Sequence, residues 1–179
     1  MEKDKKKLIT KLLLLGDSRV GKTCLLLRYC DGEYNANLPG TIGLDFRLKS
    51  LNFEDKKYKI QIFDPSGVER NINIIKNYIK GMHAFVFIYD IGNRNTFLKM
   101  NDFFQMVENK YPYKNVIKIL VGNKCDNINR KVAKEEGKKL ALENKMPFFE
   151  TSAKSNFNTN EIFEYTIQKV VENLEYIKR

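Results

Sequence analysis

Gly16-Asp17-Ser18-Arg19-Val20-Gly21-Lys22-Thr23 constrains this chain more than any other stretch, because it satisfies the pattern G-x-x-x-x-G-K-[ST]. An apolar run, Leu12 to Leu15, precedes it, and a helical pattern, Cys24 to Tyr29, follows. A strand must therefore pass through a glycine loop straight into a helix. Gly16 and Gly21 permit backbone angles that a side chain obstructs. The loop amides then turn inward and form a concave anion nest. A helix starting near Lys22 adds the positive end of its dipole. Lys22 supplies a full charge for the β- and γ-phosphates of a nucleotide, and the Thr23 hydroxyl can ligate Mg²⁺. The loop residues Ser18, Arg19, Val20 and Gly21 complete the candidate phosphate cradle.

A phosphate loop does not name the base. Asn123-Lys124-Cys125-Asp126 bears on that, since it closes a second apolar strand pattern, Val116 to Val121, followed by Gly122. An aspartate at a strand end can accept both N–H donors on the guanine edge. Adenine presents a donor where guanine has its carbonyl, and a site that leaves polar groups unpaired discriminates strongly. Ser152-Ala153-Lys154 follows the short strand pattern Pro147 to Thr151 and reads as a further wall of the same base pocket.

Two more pieces lie between these motifs. Asp64-Pro65-Ser66-Gly67 ends the strand pattern Tyr58 to Phe63. Its aspartate can hold Mg²⁺ through water, and the Gly67 amide can approach a γ-phosphate. Thr41, in a loop after the first helix, can complete the metal shell. The candidate metal ligands are thus Thr23, Thr41 and Asp64, and the candidate catalytic residues are Lys22, Thr41 and Gly67. Loops ordered by a γ-phosphate and released on hydrolysis are natural switch elements.

Apolar strand patterns fall near 8–15, 45–53, 58–64, 84–90, 116–122 and 147–151, with amphipathic helical patterns between or after them. Near-continuous apolar runs such as Ala84 to Tyr89 suit strands buried on both faces. The alternation predicts an α/β fold: a six-stranded, mostly parallel sheet with helices on both faces. The segment 44–63 reads as a hairpin around Glu54-Asp55-Lys56, which makes one edge strand antiparallel. The last helix is expected over Glu161 to Ile177, capped by Asn158 with Glu161 three residues on. Loops that follow strands gather at the carboxyl ends of such a sheet, where ligands bind.

With these motifs in order, nearly the whole chain, from about Lys11 to Ile177, resembles the Ras superfamily of small GTPases. Within it the Rab branch is the most similar: Ile42-Gly43-Leu44-Asp45-Phe46 resembles I-G-V-D-F, Tyr78-Ile79-Lys80-Gly81-Met82 resembles Y-Y-R-G-A, and Ile88-Tyr89-Asp90-Ile91 resembles V-Y-D-I. The resemblance implies a P-loop NTPase G domain that binds GTP or GDP with Mg²⁺ and hydrolyses GTP. It implies a role in vesicle trafficking, with effectors, exchange factors and GAPs at the surfaces 41–46 and 67–80. It also sets Tyr34 across the guanine and Cys24 near the α-phosphate.

Three departures from the family pattern bear on mechanism. Val68 stands where a glutamine orients the attacking water, and an isopropyl group can neither donate to nor accept from water. Slow intrinsic hydrolysis is expected; the alternative is a GTP-bound interaction module with negligible turnover. Arg19 replaces the usual glycine and either supplies a charge near the γ-phosphate or points to solvent. Pro65 removes a backbone donor beside the phosphate site. Glu69 and Arg70 are assigned no chemistry, and the lone His83 is expected to be structural.

Composition fits one domain spanning 1–179, with residues 1–7 as a basic flexible start. No apolar run is long enough to span a bilayer, and no signal-peptide pattern occurs. Cys24, Cys30 and Cys125 form no C-x-x-C pair, as expected in a reducing cytosol. The net charge of +10 comes from scattered lysines with no base-stacking motif, so a solvated basic surface is expected rather than nucleic-acid binding. The sequence stops at Tyr176-Ile177-Lys178-Arg179 without a prenylation signal. The expectation is a cytoplasmic monomer that reaches endomembranes through partners or a segment outside this sequence.

Overall fold

A computed structural model of the protein describes residues 8–38, 45–53, 56–65, 78–110 and 116–176. Six strands form one sheet: β1 (Leu8–Leu15), β2 (Asp45–Phe53), β3 (Lys56–Asp64), β4 (Ala84–Asp90), β5 (Ile117–Asn123) and β6 (Phe148–Glu150). Their order across the sheet is β2-β3-β1-β4-β5-β6. Every pairing is parallel except β2 with β3, which run antiparallel from Asp45 opposite Asp64 to Phe53 opposite Lys56. The expected mostly parallel sheet with one antiparallel edge strand is therefore present. The expected turn residues Glu54 and Asp55 lie outside the described residues.

Five described helices join the strands: α1 (Lys22–Asp31), α2 (Arg94–Leu98), α3 (Met100–Lys110), α4 (Lys134–Glu143) and α5 (Thr159–Tyr176). Side chains alternate along β1 and β4 and so build a core on each face. Leu12, Leu14, Val86 and Ile88 pack with Leu25, Leu26 and Tyr29 of α1 and with Ile162, Phe163 and Ile167 of α5. Leu13, Leu15, Phe85, Phe87 and Tyr89 pack with Met100, Phe104 and Val107 of α3 and with Ala141 of α4. Both faces of the central strands are thus dry, which is why they read as continuous apolar runs. Each fully buried large side chain contributes about 1.5–3 kcal/mol.

Two local expectations take a different form. The strand expected over 116–122 ends one residue later, at Asn123, so the N-K-x-D run begins on the strand itself. The side-chain amide of Asn158 does not act as the expected simple cap: it donates to the Glu150 carbonyl at 2.9 Å, from a left-handed backbone with φ 53. That bond ties the start of α5 to β6. The Asn158 carbonyl still receives the amide of Ile162, at 3.3 Å, and the helix begins at Thr159, directly after the expected cap and two residues before the expected Glu161.

His83 sits just before β4 and closes the gap between β1 and β5. Its Nδ1 accepts the Lys11 backbone N–H at 3.0 Å, its own N–H donates to the Lys11 carbonyl at 2.8 Å, and its carbonyl accepts from Ile117 at 3.1 Å. An accepting Nδ1 requires the ring nitrogen to be unprotonated. Burial, with Lys11 nearby, pushes the imidazole below its ordinary value of 6.5.

Candidate functional site

The sheet order reverses direction at β1, between β3 and β4, and the glycine loop leaves β1 at that point. This is where an open α/β sheet leaves a crevice at its carboxyl edge. Two glycines are required by space. A Cβ on Gly16 would stand 2.1 Å from the Ile88 carbonyl oxygen, and one on Gly21 would stand 2.4 Å from Asn123 Nδ2. Gly21 also adopts φ 96 as the N-cap of α1.

Lys22, the first residue of α1, is buried, and its ammonium is held across the loop mouth. Nζ donates to the carbonyls of Gly16 at 2.9 Å and Asp17 at 2.8 Å. Next to it, Thr23 Oγ1 donates to Asp64 Oδ2 at 2.5 Å. Asp64 is the last residue of β3 and is 0 % exposed. A hydroxyl and a carboxylate from two separate elements therefore meet at one point. Such hard oxygen donors suit Mg²⁺, which takes one or two protein groups and fills its shell with water and phosphate. Among the described residues no cluster of three His, Cys, Asp or Glu could form a cage of its own. The donor set fits a phosphate-bound Mg²⁺.

A cavity of about 450 Å³ adjoins the loop. Gly21, Cys24, Tyr34, Asn123, Asp126 and Ala153 are among its walls. Gly21 belongs to both the phosphate loop and the cavity wall, so the cavity abuts the loop at that residue. The elements meet through long-range bonds. Asn123 Nδ2 donates to the Val20 carbonyl at 2.8 Å, and its Oδ1 accepts the Thr151 hydroxyl at 3.0 Å. Lys124 Nζ reaches the Arg19 carbonyl at 2.7 Å and Asp90 Oδ2 at 2.7 Å. Asp126 Oδ1 accepts the Ser152 hydroxyl at 2.6 Å, while Ser152 Oγ accepts the Ser155 amide at 3.0 Å. The loops after β1, β5 and β6 are thereby sewn together.

The remaining sequence candidates have distinct settings. Ser18 and Arg19 are exposed at the loop apex, with Arg19 at φ 62, whereas Val20 is buried beneath them. Cys24 is half-buried, and burial raises its thiol above the ordinary value, keeping it a neutral wall. Lys154 is exposed at the cavity rim, and Ala153 is buried. Pro65 is buried directly after Asp64. Thr41, Gly67 and Val68, with Ser66, Glu69 and Arg70, lie outside the described residues, as do residues 1–7.

Sequence reasoning missed several groups here. Asn127 and Ile128 also line the cavity. Lys99 Nζ pairs with Asp17 Oδ2 at 2.5 Å, reaching the phosphate loop from beyond α2. Burial works against ionisation of Asp17, but Lys99 and the Ser18 amide outweigh it and hold the carboxyl below its usual value. Nothing in the local pattern around Lys99 or Asp90 announces these partners, because each bond joins residues far apart in the chain.

A glycine loop at the switch point, a lysine across its mouth and an oxygen pair beside it define a P-loop nucleotide-binding protein. The family comparison narrows that class. The sequence model of the Ras family matches residues 11–172. The chain is 40 % identical to the Ras-related protein SEC4 of Candida albicans over 166 residues, covering 92 % of this chain and 78 % of that protein. It is 42 % identical over 154 residues to the Ras-related protein Rab-8B of Homo sapiens, covering 86 % and 74 % of the two chains. Its identity to the Ras-related protein Rab-13 of Bos taurus is also 42 % over 154 residues, covering 86 % and 75 %. The chain belongs to the Ras family of small GTPases, enzymes that convert GTP to GDP and phosphate. No helix among the described residues is long and apolar enough to cross a membrane.

Proposed function

We propose that this protein is a Rab-type guanine-nucleotide switch in vesicle trafficking, with slow intrinsic GTP hydrolysis. The observation that carries this reading is that the cavity walled by Asn123, Asp126 and Ala153 shares Gly21 with the glycine loop, next in sequence to the Lys22–Thr23 pair that meets Asp64. Its Rab character draws on the similarity to SEC4 and Rab-8B.

In this reading Lys22 neutralises the β- and γ-phosphates, and the loop amides from Ser18 to Thr23 cradle them. Thr23, Asp64 and Thr41 hold Mg²⁺, which when bound draws charge from the phosphate oxygens. Gly67 approaches the γ-phosphate through its amide. Asp126 accepts the donors of the guanine edge, and Ser152 fixes the orientation of that carboxylate. Asn123 and Lys124 hold the base loop against the phosphate loop. Tyr34, Ala153 and Lys154 wall the base, and Cys24 stands near the α-phosphate. Effectors, exchange factors and GAPs meet the surfaces 41–46 and 67–80, and the chain works as a monomer on the cytoplasmic side of endomembranes.

Val68 makes hydrolysis slow, because water positioning is a main protein contribution to phosphoryl transfer. A GAP that brings its own glutamine and arginine still works on such a site. The test is single-turnover hydrolysis of pre-loaded GTP with Mg²⁺, followed by nucleotide chromatography over hours. Slow, steady GDP production that is lost in Lys22→Ala supports the reading. Hydrolysis at the pace of glutamine-bearing Rabs overturns the role given to Val68. Tightly bound GTP that stays intact makes the protein an interaction module, active until exchange replaces its nucleotide.

A further inference from the structure

Arg28 belongs to none of the sequence motifs, yet it touches three segments around the cavity. Its Nε donates to the Ala153 carbonyl at 2.9 Å, its Nη1 to the Gly32 carbonyl at 2.8 Å, and its Nη2 to the Lys154 carbonyl at 3.5 Å. Its guanidinium carbon lies 5.6 Å from the centre of the Tyr34 ring. Tyr34, Ala153 and Lys154 are all cavity walls. Arg28 itself is half-buried on α1 and is not among the cavity-lining residues.

The geometry depends on this side-chain type. A guanidinium presents five N–H donors in a fixed planar fork, so one residue can bond carbonyls in different directions while offering a face to an aromatic ring. The 5.6 Å separation is within the range of a cation–π contact. Gly32 ends α1 in a left-handed conformation with φ 74, which turns the chain toward Tyr34. The Ala153-Lys154 turn arrives from β6, at the edge of the sheet. Arg28 therefore spans two walls that no described strand pairing joins.

We infer that Arg28 is a positioning residue of the base end, setting how long a guanine nucleotide stays bound without touching it. The inference rests on the nucleotide-binding reading above. Held by Arg28, the Tyr34 segment and the Ala153-Lys154 turn keep their spacing while the base is in place. Without it, the two walls separate more easily and the base end opens. The bonds of Lys22 and Thr23 at the phosphate end do not pass through Arg28.

The test is dissociation of fluorescent GDP from the full chain, in Arg28→Met and Arg28→Lys, beside single-turnover cleavage of GTP already bound. Arg28→Met is expected to speed GDP release by about tenfold, as the loss of charged hydrogen bonds dictates. Arg28→Lys, which keeps the charge but not the fork, is expected to fall between it and the parent chain. Cleavage of bound GTP should move far less than release in both variants. Asp126→Ala serves as the reference for the base pocket. Fast release in Asp126→Ala with unchanged release in Arg28→Met overturns this inference and leaves the nucleotide reading standing. Unchanged GDP binding in Asp126→Ala overturns the base-pocket reading and this inference with it. Equal changes in release and cleavage in Arg28→Met make the role a general structural one and also overturn the inference. Arg28→Lys carries the same test if the methionine variant does not fold.

Discussion

The phosphate end of the site is buried, whereas its base end is partly open. Lys22 is 4 % exposed and Asp64 0 %, and each stands at the end of a strand or the start of a helix that the core fixes. Asp126 and Lys154 are exposed, and Lys124 and Tyr34 are half-buried. The first group works in a low-dielectric setting where one charge counts for much. The second is held by long side chains that reach across the sheet, such as Lys124 to Arg19 and Arg28 to Ala153. In the function proposed above, phosphate chemistry falls to the buried group and retention of the base to the open one.

This contrast can be tested by unequal damage. Lys22→Ala should do most, weakening GTP and GDP by roughly a thousandfold, because it leaves phosphate charge unpaired in a buried site; isothermal titration reads this directly. Asp126→Ala should cost less, about a hundredfold for GDP, with no gain for ADP, since it removes one charged acceptor near solvent. A loss equal to that of Lys22→Ala would erase the difference between the ends. Val68→Gln should raise single-turnover hydrolysis on the order of tenfold, about 1.4 kcal/mol of barrier, while leaving GDP affinity unchanged. An unaltered rate means that another group already places the water.

The smallest effect lies outside the site and serves as its control. Burial, with the Lys11 charge nearby, pushes the His83 imidazole in the folded chain below the ordinary 6.5 of the unfolded chain. Its contribution to stability is complete above about pH 6.5 and declines as pH falls below that, where the unfolded chain binds the extra proton. Thermal midpoints between pH 5 and 8 should show this slope, and His83→Gln should flatten it. GDP release measured over the same range should not follow it.

The sequence was most informative where geometry restricts residue type. Gly16 and Gly21 are legible because any Cβ meets the Ile88 carbonyl or the Asn123 amide. The central strands are legible because burial on both faces demands unbroken apolar runs, as in Ala84 to Tyr89. Motif order sets Asp126 and Ser152 near each other, but does not reveal that Ser152 lies buried behind the cavity wall and bonds Asp126 directly. Arg28, Lys99 and Asp90 were not legible. An arginine on a helix or a lysine at a helix end ordinarily reads as solvated surface, and the partners of Arg28 and Lys99 here include ones 125 and 82 positions away. Asn158 reads from the sequence as a helix start, but the reach of its amide to β6 depends on how the strand and helix pack, which local pattern does not encode.

The Asn123 amide, bonded to Val20 on one side and Thr151 on the other, makes the two ends of the cavity parts of one frame. For the nucleotide proposed here, the frame acts as a bivalent receptor. When the base lets go, the phosphates keep it within a few ångströms of its seat, at a high effective concentration, and it rebinds before it can diffuse away. Escape needs both grips open together, so the lifetime of the complex scales with the product of two modest affinities. A regulator that pries open either end alone removes one factor of that product and shortens the residence time in proportion.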